Sequence, residues 1–323
     1  MQSVEKAAGG RVVILGCGGT IAGRAESDQD TVGYRAAEIG VDVLVAAVPA
    51  LRALPLEAEQ VAQVDSKDMT PAIWQQLAAR VAFHLARPEV AGVVVTHGTD
   101  TLEETAYFLH RVLAPSKPLV LTAAMRPATA LMADGPQNLL DAVTLARHPG
   151  ARGVLAVIGG EVYPGGELRK VHSRRLRAFS AGDAGPLGRI DDGRFERWRD
   201  WPAGVGLGLP AIAAAAAKWP RVEIVTNHAG ADGRIVDALL AQGGVDAIVF
   251  AGTGNGTLAL GLEAAALRAV AAGVPVLRAS RCGWGPVLGG NAALPAAGAL
   301  SVAQARVELL LRCLISAQGD RTG

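Results

Sequence analysis

Residues 93–109 read VVVTHGTDTLEETAYFL, and the two halves of this stretch obey different periods. Val93, Val94 and Val95 form an unbroken β-branched run, as in a strand buried on both faces of a parallel sheet. Leu102, Thr105, Ala106 and Leu109 then fall on one face of a helix. Thr101, followed three residues later by Glu104, has the spacing of a capping box that fixes the helix start. His97, Gly98, Thr99 and Asp100 are therefore expected in a tight turn between a strand's carboxyl end and a helix's amino end. Open α/β sheets bind ligands at such turns, and the helix terminus favours a carboxylate. Taken alone, the stretch reads first as an ordinary strand–helix connection capped by polar residues.

The rest of the chain repeats the pattern. Residues 12–15 form a short apolar strand that runs into Gly16-Cys17-Gly18-Gly19-Thr20-Ile21-Ala22-Gly23. This loop has neither the Gly-x-Gly-x-x-Gly register of a dinucleotide cradle nor the Lys-Ser/Thr of a P-loop. What remains is a glycine-lined turn presenting one hydroxyl, Thr20, among backbone N–H groups, the parts of a nucleophile beside an oxyanion hole. A polar stretch at 24–31 reads as a mobile surface loop. Tyr34 lies where that loop returns, placed to fold over Thr20 as a lid, and residues 36–51 follow as a helical run. Residues 60–64 read as a strand emptying into a turn that carries Ser66 and Lys67. Thr70-Pro71 then caps a helix with proline at its first position. Strand, polar turn and helix in repetition are the doubly wound α/β signature.

Length and composition bound the function. At 323 residues the chain suits two domains, and half of its residues are hydrophobic, enough for a sizeable core. A formal charge of +1 with interspersed signs leaves no electrostatic footprint for nucleic acid. Cys17, Cys282 and Cys313 are odd in number and far apart, which argues against a disulfide framework and for a reducing compartment. No metal-ligand spacing appears among the Cys and His residues, and no cofactor is expected. No run approaches transmembrane length and the amino terminus lacks a signal peptide's apolar region, so no membrane association is expected. The expected location is cytoplasmic, or periplasmic if a leader has been removed.

The character of the sequence changes after about residue 191. A charged, Trp-rich segment gives way to glycines and then to the alanine run 211–217. The expected division is an N-terminal domain over 1–191, a linker over 192–218 and a C-terminal domain over 219–323. The second domain restarts the alternation with strands at 222–225, 247–250 and 274–277 and helices at 232–242 and 258–272. A Gly254-Asn255-Gly256 turn follows its second strand. Ser301 and Gln304 form another capping box, opening a final amphipathic helix.

Gly18-Gly19-Thr20-Ile21-Ala22-Gly23, followed some 80 residues later by His97-Gly98-Thr99-Asp100-Thr101-Leu102-Glu103-Glu104-Thr105-Ala106, resembles the bacterial-type L-asparaginase/glutaminase family of amidohydrolases. Ala124-Met125-Arg126-Pro127, Ala133-Asp134-Gly135-Pro136 with Asn138, and Lys170 ahead of Phe179 and Gly185-Pro186-Leu187-Gly188 are similar to further family segments. The resemblance implies two α/β domains: a larger N-terminal flavodoxin-like sheet flanked by helices and a smaller C-terminal parallel one. It implies hydrolysis of L-asparagine to L-aspartate and ammonia through a threonine nucleophile and an acyl-enzyme. Thr20 would be the nucleophile, assisted by Tyr34. Thr99, Asp100 and Lys170 would form a hydroxyl–carboxylate–ammonium set that orients water or activates either threonine. Substrate-binding positions would be Gly19, Ser66, Lys67, Gly98, Ala124 and Asn255. The partner is a small amino-acid substrate, and the oligomer a dimer or dimer of dimers.

The chain departs from the family at two places. Lys67 stands where relatives often carry a neutral residue. The segment after Arg281 is short and contains no Asp or Glu before Ala305, so an acidic contribution to a neighbouring subunit's site is missing there. Three other readings stand beside the asparaginase one. They are a glutaminase-leaning amidohydrolase, a catalytically idle amino-acid-binding relative, and a nucleotide-binding α/β enzyme, the last weakened by the failed glycine register.

Overall fold

The computed structural model describes residues 10–29, 33–213 and 218–319. The chain divides into two compact units between Leu209 and Pro210. In chain order the first contains β1 (Arg11–Gly18), α1 (Val41–Ala46), β2 (Leu56–Val64), α2 (Pro71–Leu85), β3 (Val90–Thr96) and α3 (Leu102–Leu113). Next come β4 (Pro118–Thr122), α4 (Gly135–Ala146), β5 (Gly153–Ile158), β6 (Glu161–Pro164), β7 (Arg169–Lys170), β8 (Phe179–Ser180), β9 (Gly188–Asp191) and β10 (Arg194–Arg197).

Eight of these strands form one sheet in the order β10-β9-β6-β5-β4-β3-β1-β2, and β7 pairs with β8 separately. The five strands β2-β1-β3-β4-β5 run parallel, while β6, β9 and β10 are antiparallel additions on the β5 side. The order 2-1-3-4-5 is that of flavodoxin-like sheets, whose ligand crevice opens where the winding reverses, between β1 and β3. Those central strands are apolar throughout because both faces are covered: Val12–Leu15 of β1 and Val93–Val95 of β3 have no solvent exposure.

The second unit contains α5 (Pro210–Ala213), β11 (Val222–Thr226), α6 (Arg234–Gln242), β12 (Ala247–Gly252), α7 (Leu260–Ala271), β13 (Val276–Ser280) and α8 (Val302–Gly319). Its three strands form a parallel sheet in chain order. It has its own core, built from residues such as Val236, Ile248, Phe250, Leu262 and Ala265.

Three local expectations need correction. The helical run expected over 36–51 is broken: only α1 and a 3-10 turn at Pro49–Leu51 form, because Gly40 starts the helix late and Pro49 cannot continue it. The Thr101 side chain makes no cap bond to α3; its hydroxyl donates instead to the Ser66 carbonyl at 2.7 Å. The expected linker starts too early, since β10 pairs with β9 and Trp201 is buried against the first unit's core. Of the alanine run, residues 211–213 belong to the helical turn Pro210–Ala213, and residues 214–217 lie outside the described residues, as do residues 30–32. The other caps form as read. Thr70 Oγ1 accepts from Ile73 N at 3.3 Å. Ser301 and Gln304 exchange reciprocal bonds of 3.0 and 3.1 Å. Among the described residues no helix is long and apolar enough to cross a membrane.

Candidate active site

The turns after β1 and β3 meet at the reversal of winding, and glycine permits the approach. Gly19 adopts φ 81°, ψ −171°, a region open essentially to glycine alone. A Cβ there would stand well inside contact distance of Gly98 Cα and N, and 2.7 Å from the His97 carbonyl carbon. The Gly19 N–H donates to Val64 O at 3.0 Å, so it is not among the oxyanion donors that the sequence suggested for this loop. Cys17, two residues earlier, is buried, and burial pushes its thiol up to about 12.

Thr20 follows in a 3-10 turn, 7 % exposed. Its Oγ1 lies 2.6 Å from the Tyr34 hydroxyl. Tyr34 is brought back by the backbone pairing of Arg24 with Arg35, which exchange two bonds of 2.8 Å. The expected fold-back of this loop is thus held by main-chain hydrogen bonds on either side of residues 25–34.

Across the crevice, Thr99 is 5 % exposed. Lys170 Nζ donates to Thr99 Oγ1 at 2.9 Å and to Asp100 Oδ1 at 2.6 Å, bridging about 70 residues of chain. Asp100 N donates to Ser66 Oγ at 3.1 Å, so the buried Ser66 ties the turn after β2 to the turn after β3. Thr20, Tyr34, Thr99, Asp100 and Lys170 line one cavity of about 560 Å³, together with Met125 and Arg126. Gly19, Ser66, Gly98 and Ala124 are buried in the turns behind its wall.

Lys67 is placed differently from expectation. Its ammonium pairs with Asp65 at 2.5 Å and Asp68 at 3.3 Å, its side chain is 61 % exposed, and it does not line the cavity. Two carboxylates on its own turn already neutralise it. Lys67→Gln is therefore expected to leave KM for an amide substrate within about twofold at low and high salt, because an exposed, already paired charge contributes little. Steady-state kinetics at two ionic strengths check this. Asn255, in the second unit, clamps the backbone of Leu288: Nδ2 donates to its carbonyl and Oδ1 accepts its N–H, both at 2.8 Å.

Several supporting residues stand in stretches the sequence singles out, but with no role attached to them. His97 is fully buried, and burial lowers its pKa to about 4. Trp74 Nε1 donates to Thr105 Oγ1 at 2.9 Å, and Thr105 Oγ1 lies 3.0 Å from His97 Nε2. An indole only donates, so the threonine hydroxyl is left to donate a hydrogen bond to Nε2, and Nδ1–H donates to Gly98 O at 2.7 Å. The neutral imidazole thus locks the His97–Gly98 turn onto α2 and α3. Asp134 accepts the amides of Met125 and Arg126 at 2.9 and 3.0 Å. Asn138 donates to Ala123 O at 2.8 Å and accepts from Gly159 N at 2.9 Å. Together they fix the turn that carries Ala124.

His97 predicts a pH dependence of stability. Its folded pKa lies below the ordinary 6.5, so the unfolded chain binds the extra proton first as the pH falls. The stabilisation is complete above about 6.5 and is lost as the pH drops toward 4, by on the order of 3 kcal/mol at most. Urea midpoints measured over this window should fall more steeply for the wild type than for His97→Gln.

Among the described residues no group of three or more His, Cys, Asp or Glu side chains is arranged to hold a metal ion. The chemistry on offer is two buried hydroxyls facing one cavity, one beside a phenol and one beside an ammonium–carboxylate pair.

Comparison with known proteins identifies the family. Residues 11–202 match the family described as "Asparaginase, N-terminal", and residues 221–320 match "Glutaminase/Asparaginase C-terminal domain". The chain is 37% identical over 280 residues to L-asparaginase 2 of Bacillus subtilis (strain 168), covering 85% of this chain and 73% of that protein. It is 38% identical over 288 residues to a glutaminase-asparaginase of Pseudomonas fluorescens biotype A, covering 88% and 79%. Among solved structures, a probable cytoplasmic L-asparaginase from Campylobacter jejuni superposes with a TM-score of 0.88 at 36% identity, over 94% of each chain. By its two matched domains and its level of identity to these enzymes, the chain belongs to the asparaginase/glutaminase family of amidohydrolases.

Proposed function

We propose that the protein hydrolyses L-asparagine to L-aspartate and ammonia, with Thr20 as the nucleophile. The observation that carries this reading is the convergence of Thr20–Tyr34 and Thr99–Lys170–Asp100 on one cavity. Thr20 Oγ1 attacks the side-chain amide carbon, and its proton ends on the departing nitrogen, the Tyr34 hydroxyl lying on that route. The C–N bond breaks, ammonia leaves, and an ester to Thr20 remains. Water then attacks the ester carbon. Thr99, with its hydroxyl held by the Lys170 ammonium, orients that water, and cleavage of the ester frees L-aspartate and restores Thr20. A hydroxyl is a weak nucleophile until a neighbour takes its proton, which is why Thr20 needs a polar partner at its hydroxyl.

Asp100, more than half exposed toward the cavity, is the group for the substrate's α-ammonium. The Ser66 and Gly98 turns are placed for the α-carboxylate, and the residue 124 turn for the scissile amide. Lys67, already paired with two carboxylates on its own turn, is left out of the substrate-binding set. Coupled ammonia release on L-Asn, L-Gln and D-Asn tests the reading. Turnover of L-Asn in preference to the other two is expected, and folded protein that releases no ammonia from L-Asn overturns it.

A glutaminase-leaning activity is the second reading, favoured by relatives described as glutaminase-asparaginases in two Pseudomonas species. The ratio of kcat/KM on the two amides decides between them. We extend the proposal to a cytoplasmic enzyme, after the Campylobacter jejuni neighbour so described, and to a symmetric dimer or dimer of dimers. Cell fractionation and light scattering check these two points.

A further inference from the structure

Lys170 meets Thr99 and Asp100 from a distant part of the chain, on a short pair of strands. β7 is two residues long and pairs with the two-residue β8, outside the eight-stranded sheet whose β3 leads into Thr99 and Asp100. A lysine also carries four flexible methylenes between backbone and ammonium.

Glu103 joins the two segments. Its Oε2 accepts the backbone N–H of Lys170 at 2.6 Å, in a part-buried position. Glu103 stands in the first turn of α3, three residues after Asp100. The rigid piece that carries Thr99 and Asp100 therefore also grips the main chain of Lys170. The result is a closed ring. Lys170 N binds Glu103, Lys170 Nζ binds Asp100, and the helix start joins the two carboxylates covalently. An ionised acceptor makes this bond stronger than a neutral one, and a carboxylate in a helix's first turn is favoured by the helix dipole. Glu103 itself does not line the cavity.

We propose that Glu103 is a positioning residue for Lys170, clamping its main chain so that the ammonium reaches Thr99 and Asp100. The proposal rests on the roles assigned above to Thr99, Asp100 and Lys170. It predicts that Glu103→Ala lowers kcat by ~10- to 100-fold, the scale of a small misplacement of a reacting group, with KM changed by less than about threefold. Glu103→Gln keeps an oxygen acceptor for the same N–H and should stay within about threefold of wild-type kcat. In a Lys170→Met background, adding Glu103→Ala should cost nothing further, because the group being positioned is already gone.

The test is kinetics of ammonia release for these variants, with crystal structures of Glu103→Ala and Glu103→Gln. The crystals should show Nζ on Thr99 Oγ1 in the glutamine variant and withdrawn from it in the alanine variant. An unmoved ammonium in Glu103→Ala overturns the proposal whether or not the protein turns over L-asparagine. A glutamine variant as impaired as the alanine one overturns it too, as does a full alanine penalty in the Lys170→Met background. Wild-type protein inert on L-asparagine, or Lys170→Met of full activity, would instead refute the functional roles, and the crystallographic comparison would still decide the clamp.

Discussion

Thr20→Ala and Thr99→Ala are each expected to lower ammonia release from L-asparagine by about 10³-fold or more, the scale seen when a nucleophile or its activating partner is removed. The two should differ in where the reaction stops. Without Thr20 Oγ1 no ester to the chain forms, so no burst of ammonia precedes steady state. Without Thr99 Oγ1 the Lys170–Asp100 pair has lost the hydroxyl it holds. If that hydroxyl serves deacylation, as proposed, a burst of about one equivalent per site should survive in Thr99→Ala. Both threonines are buried, 7 % and 5 % exposed, and not in open turns as strand-end placement suggests. Truncation to alanine therefore also leaves a small void, costing about 1 kcal/mol, too little to unfold the domain. Thr20→Ser, which keeps the hydroxyl, separates the two effects. Full activity in either alanine variant, at normal circular dichroism, would remove that residue from the mechanism.

Gly19→Ala is expected to cost both stability and activity. The new Cβ meets backbone atoms of His97 and Gly98, not the movable end of a side chain, so the two turns must part. The conformation itself adds strain of about 1–3 kcal/mol for any residue but glycine. A total loss of ~3 kcal/mol or more should appear in the urea midpoint, and separating the turns by even ~1 Å should reduce kcat by about 10²-fold. Gly182→Ala is the control. Gly182 also has positive φ, 64°, but a Cβ there meets nothing within 4 Å, so only the modest backbone penalty of about 1 kcal/mol remains. Equal behaviour of the two variants would show that the approach of Gly19 to Gly98 has no special energetic weight.

The architecture was legible wherever burial dominates. Val93–Val95 reads as a central strand because both faces of that strand are covered, and the helix after Leu102 reads from its 3.6 spacing because one face is buried. Thr70 and Ser301 cap as their spacing says, each hydroxyl accepting the amide three residues on. Thr101 does not, because the Ser66 carbonyl lies within its reach, and that carbonyl comes from a segment 35 residues away. β10 reads as linker because an exposed, charged edge strand has no apolar signature. The site divides in the same way. Thr20, Ser66 and Thr99 occupy strand-end turns visible in the pattern of the chain. Lys170 lies 71 residues from Thr99 on a two-residue strand, and only its likeness to a family segment drew attention to it. His97, Glu103 and Asp134 act through other residues, and such roles leave no mark on local sequence.

The burial of Cys17 turns the amino-terminal turn into its own clock. This thiol is 1 % exposed and its ionisation is suppressed, whereas Cys282 lies open at the surface. A thiolate-seeking reagent will label Cys282 at once, and Cys17 only in the fraction of time that the end of β1 comes away from its neighbours. Because Cys17 sits three residues from Thr20, the slow labelling rate counts openings of the crevice itself. Occupancy by L-aspartate should slow that rate in proportion to the protein's saturation, reading ligand affinity without any turnover.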